Sequence, residues 1–315
     1  MLTRNLGKTG LKTSILSLGT GGARQFGQTQ GHSINDQKNL VYAALDMGIN
    51  IFDTSTQYGY SESLLGRCLL DIPRDSFYIS TKWPARDEIG HTILDPKKLI
   101  ASVDKSLQRL QTDYIDIMLF HGIMSEEYNL IIENLYPTMD QLKSEGKIIN
   151  VGFSSRFSED PAQKSIELAL SQNPELWDVV MLKYGILNQH ASKTILPLAE
   201  QHQIGIINMA AVRVKLPDPT LLEELIENWK SIGLIAYDSF PTVNPLGWLI
   251  KGNVRSVIEA GYKFAGEPNS ISTVLTGTSS IEHLRMNVES MKEPWLSEDH
   301  MDRLKKTLSH IVEYA

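Results

Sequence analysis

Three ionisable residues stand directly after short apolar runs that are typical of buried strands. Asp53 follows the letters INIF, Lys82 follows FYIST and His121 follows IDIMLF, while Tyr58 lies a few residues beyond Asp53. Taken singly, each has a structural interpretation as a helix cap, a solvated lysine, a hydrogen-bonded histidine or a packing tyrosine. Adjacent parallel strands lie about 4.8 Å apart. Neighbouring strand ends can therefore bring all four side chains into one small volume.

Together these side chains could reduce a carbonyl group. Hydride transfer needs an acid that protonates the forming alkoxide, and an ordinary tyrosine, with a pKa of about 10, is a weak acid at neutral pH. The ammonium of Lys82 would favour the phenolate and make Tyr58 a stronger acid, while Asp53 would hold the lysine charged. His121 could donate to the substrate oxygen or position it. A lyase or isomerase using Lys82 as a Schiff base is disfavoured, because a neighbouring carboxylate keeps the amine protonated.

The elements that must position these residues are apolar runs alternating with helical segments. The runs span 15–18, 49–52, 77–80, 114–120, 148–153, 177–182, 204–209 and 271–276. Because they are apolar at nearly every position, they predict parallel strands covered on both faces. Eight strands over about 250 residues predict an α/β fold of the (β/α)8 or TIM barrel type, whose catalytic residues lie at the C-terminal ends of strands. A doubly wound sheet usually has fewer strands and an early glycine fingerprint.

Several helix boundaries can be predicted from single residues. Asp95, Asp160 and Asp218 each precede a proline and predict a helix start, and Gly146 predicts a helix end. Ahead of the first barrel strand, residues 2–6 and 11–14 flank the letters GKTG, which predicts an N-terminal β-hairpin closing the barrel floor. No linker divides the chain, so we expect residues 1–315 to form a single domain.

Composition excludes several classes of partner. The chain has 315 residues and a net charge of −7, and this lack of basic excess argues against nucleic acid or a membrane surface. The N-terminal letters MLTRNLGKTGLK do not form a signal peptide, and no apolar window is long enough for a membrane span. We expect a cytoplasmic protein, a monomer or small homo-oligomer, with no metal because no His or Cys cluster has ligand spacing. The single cysteine, Cys68, lies in an apolar run and predicts core packing.

Ordered motifs accompany the predicted cluster. The letters FDTSTQYGYSESLLGRCL at 52–69 are accompanied by SLGTGG near the first strand, ISTKW at 79–83, SLQRLQTDYIDIMLFHG at 106–122, EGKIINVGFSS at 145–155 and GTSSIEHLRMN at 277–287. In this order they resemble the motifs of the aldo-keto reductase superfamily over nearly the whole chain. The resemblance implies that Asp53, Tyr58, Lys82 and His121 form the catalytic set, with Tyr58 as general acid.

The resemblance also implies a nicotinamide cofactor, NADP(H) or NAD(H), extended across the barrel mouth. The residues that it places beside the cofactor are Gly19, Thr20, Gly21, Ser154, Ser155, Met181, Met209, Arg213, Gly277, Ser279, His283 and Asn287. Ser154 fits the carboxamide site, whereas Ser155 replaces the usual Asn and Met181 stands where a Gln is expected. Met209 can give dispersion contact in place of the usual tyrosine. Arg213 could bind the pyrophosphate or be a solvated loop residue.

The last part of the implied cofactor site leaves the choice of cofactor open. Gly277 is expected to open a helix whose amides meet the adenosine phosphate, and Asn287 to contact the adenine. Ser279 and His283 hold the positions of the basic residues that usually bind the 2′-phosphate. Preference for NADP(H) over NAD(H) is therefore not predicted.

Two functions agree with these observations. The first is a reductase or dehydrogenase acting on a small aldehyde, ketone or sugar, with Phe26, Trp83 and Tyr184 as candidate pocket walls. The second is a catalytically weak barrel protein that binds the cofactor or senses its redox state, which the residues at Met181 and 207–213 favour.

Overall fold

The computed structural model describes residues 1–293 and 295–312, and a closed barrel of parallel strands forms its centre. The barrel strands are β3 (Leu16–Gly19), β4 (Ile51–Asp53), β5 (Tyr78–Trp83), β6 (Ile115–Phe120), β7 (Ile148–Ser154), β8 (Val179–Lys183), β9 (Gly205–Met209) and β10 (Ile271–Thr276). They pair in chain order, and β10 pairs with β3 to close the barrel. The predicted (β/α)8 barrel is confirmed.

The predicted N-terminal hairpin is present at one end of the barrel. Its strands β1 (Thr3–Asn5) and β2 (Lys12–Ser14) pair antiparallel, with Thr3 opposite Ser14. Between them, the fully buried Leu6 packs against the apolar side chains inside the barrel. Arg4 ties the hairpin to the start of β10, because its Nη1 donates to the carbonyl oxygens of Pro268 and Ile271, both at 2.7 Å.

Helices cover the outside of the barrel. They are α1 (Ile34–Asp46), α2 (Ser61–Leu69), α3 (Pro96–Leu110), α4 (Tyr128–Ser144), α5 (Lys164–Gln172), α6 (Ile195–Gln201), α7 (Pro219–Ser231), α8 (Val257–Gly266), α9 (Ile281–Ser290) and α10 (Glu298–Leu308). The predicted caps at α3 and α7 are confirmed: Asp95 accepts from the amide of Lys97, and Asp218 from that of Leu221. Gly146 follows α4 with a φ of 74°, a conformation that glycine adopts without strain.

Two predicted helix starts are wrong. Helix α5 begins at Lys164 and not at Asp160, because Gln163 takes a left-handed φ of 55° while its side chain bonds the main chain of Lys183. The Asp160 carboxylate instead accepts from the amide of Ser165. Gly277 does not open α9 either, since that helix begins at Ile281.

Apolar packing occurs in two layers. The inner layer fills the barrel and consists of Leu6, Ile51, Ile117, Leu119, Val179, Met181 and Ile207. A larger outer layer lies between the strands and the helices and includes Cys68, as the sequence predicted. Burial raises the pKa of the Cys68 thiol to about 11, so this cysteine stays protonated and packs as an apolar residue. No helix within the described ranges is long and apolar enough to cross a membrane.

Candidate active site

A cavity of about 830 Å³ opens at the C-terminal ends of the barrel strands. Asp53, Tyr58, Lys82 and His121 all line it. The volume lies within the range of about 300–1,000 Å³ that is typical of ligand pockets. The barrel therefore brings the four predicted residues together at the end where barrel enzymes carry their chemistry.

A buried ion pair forms the base of the cluster. The Nζ atom of Lys82 lies 2.7 Å from Oδ1 and 2.6 Å from Oδ2 of Asp53, and 2.7 Å from the carbonyl oxygen of Thr54. The ammonium is thus held by both oxygens of one carboxylate and by a main-chain carbonyl. Burial acts to lower the pKa of Lys82, but the adjacent Asp53 carboxylate and the Tyr58 side chain together outweigh it, and the pKa lies above its usual value. Lys82 therefore carries a fixed positive charge.

The strand that carries Lys82 is longer than the sequence indicated. The apolar run predicted an end at residue 80, whereas β5 continues to Trp83, with Lys82 opposite Leu119 and Trp83 opposite Phe120. Lys82 thus belongs to the rigid sheet and does not follow it. A buried lysine inside a strand is hard to predict because its partners, Asp53 and the Thr54 carbonyl oxygen, come from a neighbouring strand and the loop after it.

Tyr58 lies over this ion pair. Its amide donates to the carbonyl oxygen of Ser55 at 3.1 Å in the loop after β4, and the Nζ atom of Lys82 is 5.0 Å from the centroid of its ring. A Cβ atom on Gly21 would lie 2.5 Å from Cε2 of Tyr58, so only glycine leaves room for the ring. The ring also meets that of His121 edge to face, with centroids 5.9 Å apart.

His121 comes directly after β6 and stays neutral. Its Nδ1 atom lies 3.1 Å from the hydroxyl of Ser55, a residue that the sequence analysis did not single out. Burial, with a smaller contribution from the Lys82 charge, lowers the pKa of His121 to about 3. A neutral imidazole has one donor and one acceptor nitrogen. His121 can therefore donate a hydrogen bond to a molecule in the cavity without carrying a charge.

A second buried acid, Glu62, bonds to the strand that carries Lys82. Glu62 on α2 accepts a hydrogen bond from the hydroxyl of Thr81 at 2.6 Å and another from Nε of Arg109 at 2.6 Å. Thr81 precedes Lys82 in β5. This network joins helices α2 and α3 to the strand that holds the ammonium.

Most of the residues that the resemblance placed beside a cofactor line the cavity. These are Gly19, Gly21, Ser154, Ser155, Met181, Met209, Arg213 and Gly277. The Ser154 hydroxyl oxygen accepts from the amide of Gly122 at 3.0 Å, which leaves its hydrogen available for a carboxamide oxygen. The Ser155 hydroxyl instead donates to Gln163 at 3.1 Å. Of the two serines, Ser154 is thus the one whose hydroxyl hydrogen is not used in a bond to Gln163.

Four of the implied cofactor residues do not line the cavity. Thr20 is fully buried, and its amide donates to the carbonyl oxygen of Asp53. Ser279 donates to the side chain of Gln30, and Asn287 to the hydroxyl of Thr276. His283 is exposed in the first turn of α9, where its amide is capped by the Ser280 hydroxyl.

The pocket walls differ in part from those predicted. Phe26 lines the cavity. Trp83 and Tyr184 are wrong as wall residues: they are buried, with Trp83 against Phe120 and Tyr184 stacked on Phe264.

Other wall residues were missed because loops and a buried helix supply them. Arg86 and Glu88 come from the loop after β5, and Tyr262 comes from α8. The sequence signal that could have identified Arg86 and Glu88 was the polar loop that follows the strand, because such loops often carry binding residues. Among the residues that the structure describes, no group of three or more His, Cys, Asp or Glu side chains is arranged to hold a metal ion.

Comparison with known proteins agrees with the (β/α)8 barrel fold. The sequence model of the Aldo/keto reductase family matches residues 17–309. The chain is 28% identical to L-galactose dehydrogenase of Arabidopsis thaliana over 301 residues, which cover 92% of this chain and 88% of that protein. It is 30% identical over 210 residues to a putative voltage-gated potassium channel subunit beta of Schizosaccharomyces pombe, covering 64% and 59% of the two chains.

A solved structure gives the same fold. A holo-form aldo-keto reductase from Bacillus halodurans superposes with a TM-score of 0.74 at 24% identity, covering 99% of this chain and 98% of that one. The chain therefore belongs to the aldo/keto reductase family. It is an oxidoreductase of the class that reduces carbonyl groups with a nicotinamide cofactor.

Proposed function

We propose that this protein interconverts the carbonyl group of a small aldehyde, ketone or sugar and the corresponding alcohol, with Tyr58 as the general acid and base. The observation that carries the proposal is the Asp53–Lys82 ion pair beneath Tyr58 and beside His121 in one cavity. In reduction, the carbonyl carbon gains a hydride and the carbonyl oxygen gains a proton. The chain must supply that proton and stabilise the oxygen.

Each residue of the cluster has a separate task in this proposal. Tyr58 gives its hydroxyl proton to the forming alkoxide, and the resulting phenolate is stabilised by the ammonium charge 5.0 Å from the ring centroid. Asp53 keeps that ammonium protonated and in place. Neutral His121 donates a hydrogen bond to the carbonyl oxygen, which polarises it before transfer.

The reduced nicotinamide, when bound, supplies the hydride. Ser154 would hold its carboxamide, while Met181 and Met209 would pack against the ring. Arg213, exposed at the cavity rim, would meet the pyrophosphate. Neither NAD(H) nor NADP(H) is favoured by these contacts.

The test is replacement of the proposed acid. Tyr58→Phe removes only the hydroxyl, so we expect kcat with a panel of aldehydes, ketones and sugars to fall by about 100-fold or more. The dissociation constants of NADH and NADPH, measured by tryptophan quenching, should stay within about twofold. Tyr60→Phe is the matched control, because Tyr60 is 77% exposed two residues away. An undiminished kcat in Tyr58→Phe would exclude Tyr58 as the acid.

A second candidate is a cofactor-binding protein with little turnover. The carboxamide site favours it, because Ser155 bonds to Gln163 and Met181 offers no hydrogen bond. One relative, 30% identical over 210 residues, carries the name of a putative channel subunit and not of an enzyme. Tight binding of NADH or NADPH by the wild-type protein, without consumption of nicotinamide across the carbonyl panel, would favour this candidate.

A further inference from the structure

The side chain of Ser55 connects the two loops that carry Tyr58 and His121. Ser55 is fully buried. Its hydroxyl oxygen lies 3.1 Å from Nδ1 of His121 and 3.2 Å from the amide nitrogen of Gln57. Its carbonyl oxygen accepts the amide of Tyr58 at 3.1 Å. One buried serine therefore contacts both the proposed acid and the proposed hydrogen-bond donor.

The hydrogen atoms of this group can be assigned by counting donors and acceptors. A serine hydroxyl donates once and accepts twice, and the Gln57 amide can only donate to it. Among the described residues that contact the hydroxyl, Nδ1 of His121 is the one atom able to accept its hydrogen. The hydroxyl therefore donates to Nδ1, and this nitrogen carries no proton.

The opposite arrangement leaves a buried donor without a partner. If Nδ1 carried the proton, both Nδ1 and the Gln57 amide would donate to the Ser55 oxygen, and the serine hydrogen would point to no acceptor. A buried polar group without a hydrogen-bond partner destabilises the folded protein. Because His121 is neutral, its single proton then lies on Nε2. The main chain at His121 is held in place as well, since the His121 amide donates to the carbonyl oxygen of Trp83 at 2.8 Å.

We propose that Ser55 is a positioning residue that holds His121 in the Nε2–H tautomer, so that this nitrogen serves as the hydrogen-bond donor to the carbonyl oxygen of the substrate. The inference rests on the proposed function for the identity of the acceptor. It separates two tasks: Nε2–H donates without releasing its proton, and the proton that is transferred comes from Tyr58. A neutral imidazole polarising a carbonyl is effective because no charge has to be desolvated.

The tautomer can be read directly by NMR. Protein labelled with ¹⁵N-histidine gives a different pattern of two-bond ¹H–¹⁵N couplings for each tautomer, and His121→Asn identifies the signals of His121 among the eight histidines. In the wild-type protein between pH 6 and 8 we expect a protonated Nε2 and an unprotonated Nδ1. In Ser55→Ala we expect the Nδ1–H form to appear alongside the other. A wild-type spectrum with the proton on Nδ1 would overturn the proposal.

Kinetics of the same variants test the consequence. In Ser55→Ala we expect kcat to fall by about 10-fold, which corresponds to about 1.4 kcal/mol in the barrier, with the dissociation constant of NADH or NADPH unchanged. Ser55→Cys keeps a weak donor of similar size. Its kcat and its fraction of the Nδ1–H tautomer should therefore lie between those of the wild-type protein and those of Ser55→Ala. Ser17→Ala removes another buried hydroxyl, bonded to Val274, and controls for packing. An unchanged tautomer and unchanged kcat in Ser55→Ala would show that Ser55 does not set the tautomer of His121.

The two proposals fail in different ways. If the wild-type protein reduces no carbonyl compound, the proposed function fails, and the wild-type spectrum still decides the tautomer. If Tyr58→Phe abolishes turnover but Ser55→Ala leaves the tautomer intact, the reductase stands and the role of Ser55 is wrong.

Discussion

The ring of Tyr58 lies directly against the backbone of Gly21, where a Cβ atom would come within 2.5 Å of Cε2. We predict that Gly21→Ala displaces the ring from Lys82 and lowers kcat by about 10-fold or more, while the barrel stays folded. Steady-state kinetics and circular dichroism measure the two effects.

The double variant shows whether Gly21→Ala acts through the ring. If it does, adding it to Tyr58→Phe should give no further loss, because two changes at one contact are not additive. A double variant slowed by the product of both single effects would mean that Gly21 has another role, such as contact with a cofactor.

His121 also makes the stability of the protein depend on pH. Its pKa is about 3 in the folded chain and about 6.5 when unfolded. The unfolded chain therefore binds more protons between these values, and the free energy of unfolding falls as the pH is lowered below about 6.5. Between pH 7 and pH 5 we expect a loss of about 2 kcal/mol from this residue.

Urea unfolding at the two pH values tests this prediction. His121→Asn cannot bind the proton and should lose about 2 kcal/mol less than the wild-type protein over the same interval. Equal losses in the two proteins would show that His121 does not have a lowered pKa in the folded state.

At the scale of elements, the loop after β5 forms one wall of the cavity and is bonded to Glu127, which directly precedes α4. Glu127 accepts hydrogen bonds from Arg86, from the Thr92 hydroxyl at 2.8 Å and from the amide of Met124 at 3.1 Å. We predict that Glu127→Ala accelerates amide hydrogen exchange in residues 84–94 by about 10-fold and raises KM for the carbonyl substrate. Hydrogen exchange followed by mass spectrometry measures the exchange rates of the amides in this loop.

The neighbouring acid provides a matched control for this loop. Glu126 is exposed and adjacent in sequence, so Glu126→Ala should leave both the exchange rates and KM unchanged. Slow exchange preserved in Glu127→Ala would contradict the prediction that this carboxylate holds the wall.

The sequence predicts strands and helices correctly where local apolar spacing and caps determine them, and less well where tertiary contacts do. The barrel strands and the helices α3 and α7 followed from runs and caps that are local in the chain. Helix α8 was not predicted: it is buried almost throughout, and its two charged residues, Glu259 and Lys263, are buried as well. The start of α5 failed for a different reason, since a tertiary bond from Gln163 to Lys183 overrides the local signal.

The candidate site likewise contains residues that the sequence predicts and one residue that it does not predict. Asp53, Tyr58, Lys82 and His121 were predicted to meet because parallel strands end at one edge of a barrel. Ser55 was not predicted, since its partner His121 is distant in the chain and no local spacing marks the contact. Contacts between loops depend on shapes that a single sequence does not encode locally.

At the scale of the whole molecule, the N-terminal hairpin and the candidate site lie at opposite ends of the barrel. Leu6 from the hairpin is fully buried in the inner layer at the floor. We predict that Leu6→Ala lowers the free energy of unfolding by about 3 kcal/mol, with kcat within about twofold of the wild-type value. Leu2→Ala, at a position 40% exposed, should cost less than about 0.5 kcal/mol.

Urea unfolding and steady-state kinetics on the same samples test this separation. A large loss of kcat in Leu6→Ala, measured well below its unfolding transition, would show that the floor is coupled to the mouth.

Closure of the barrel between β3 and β10 constrains how the chain is made. Leu16 pairs with Val274, and Arg4 bonds to the carbonyl oxygen of Ile271, so β1 and β3 find these partners only after β10 has been synthesised. Until then, the ribosome holds a sheet with an unpaired edge on each side, and such edges invite aggregation. The nascent chain should therefore depend on chaperones until β10 has left the ribosome.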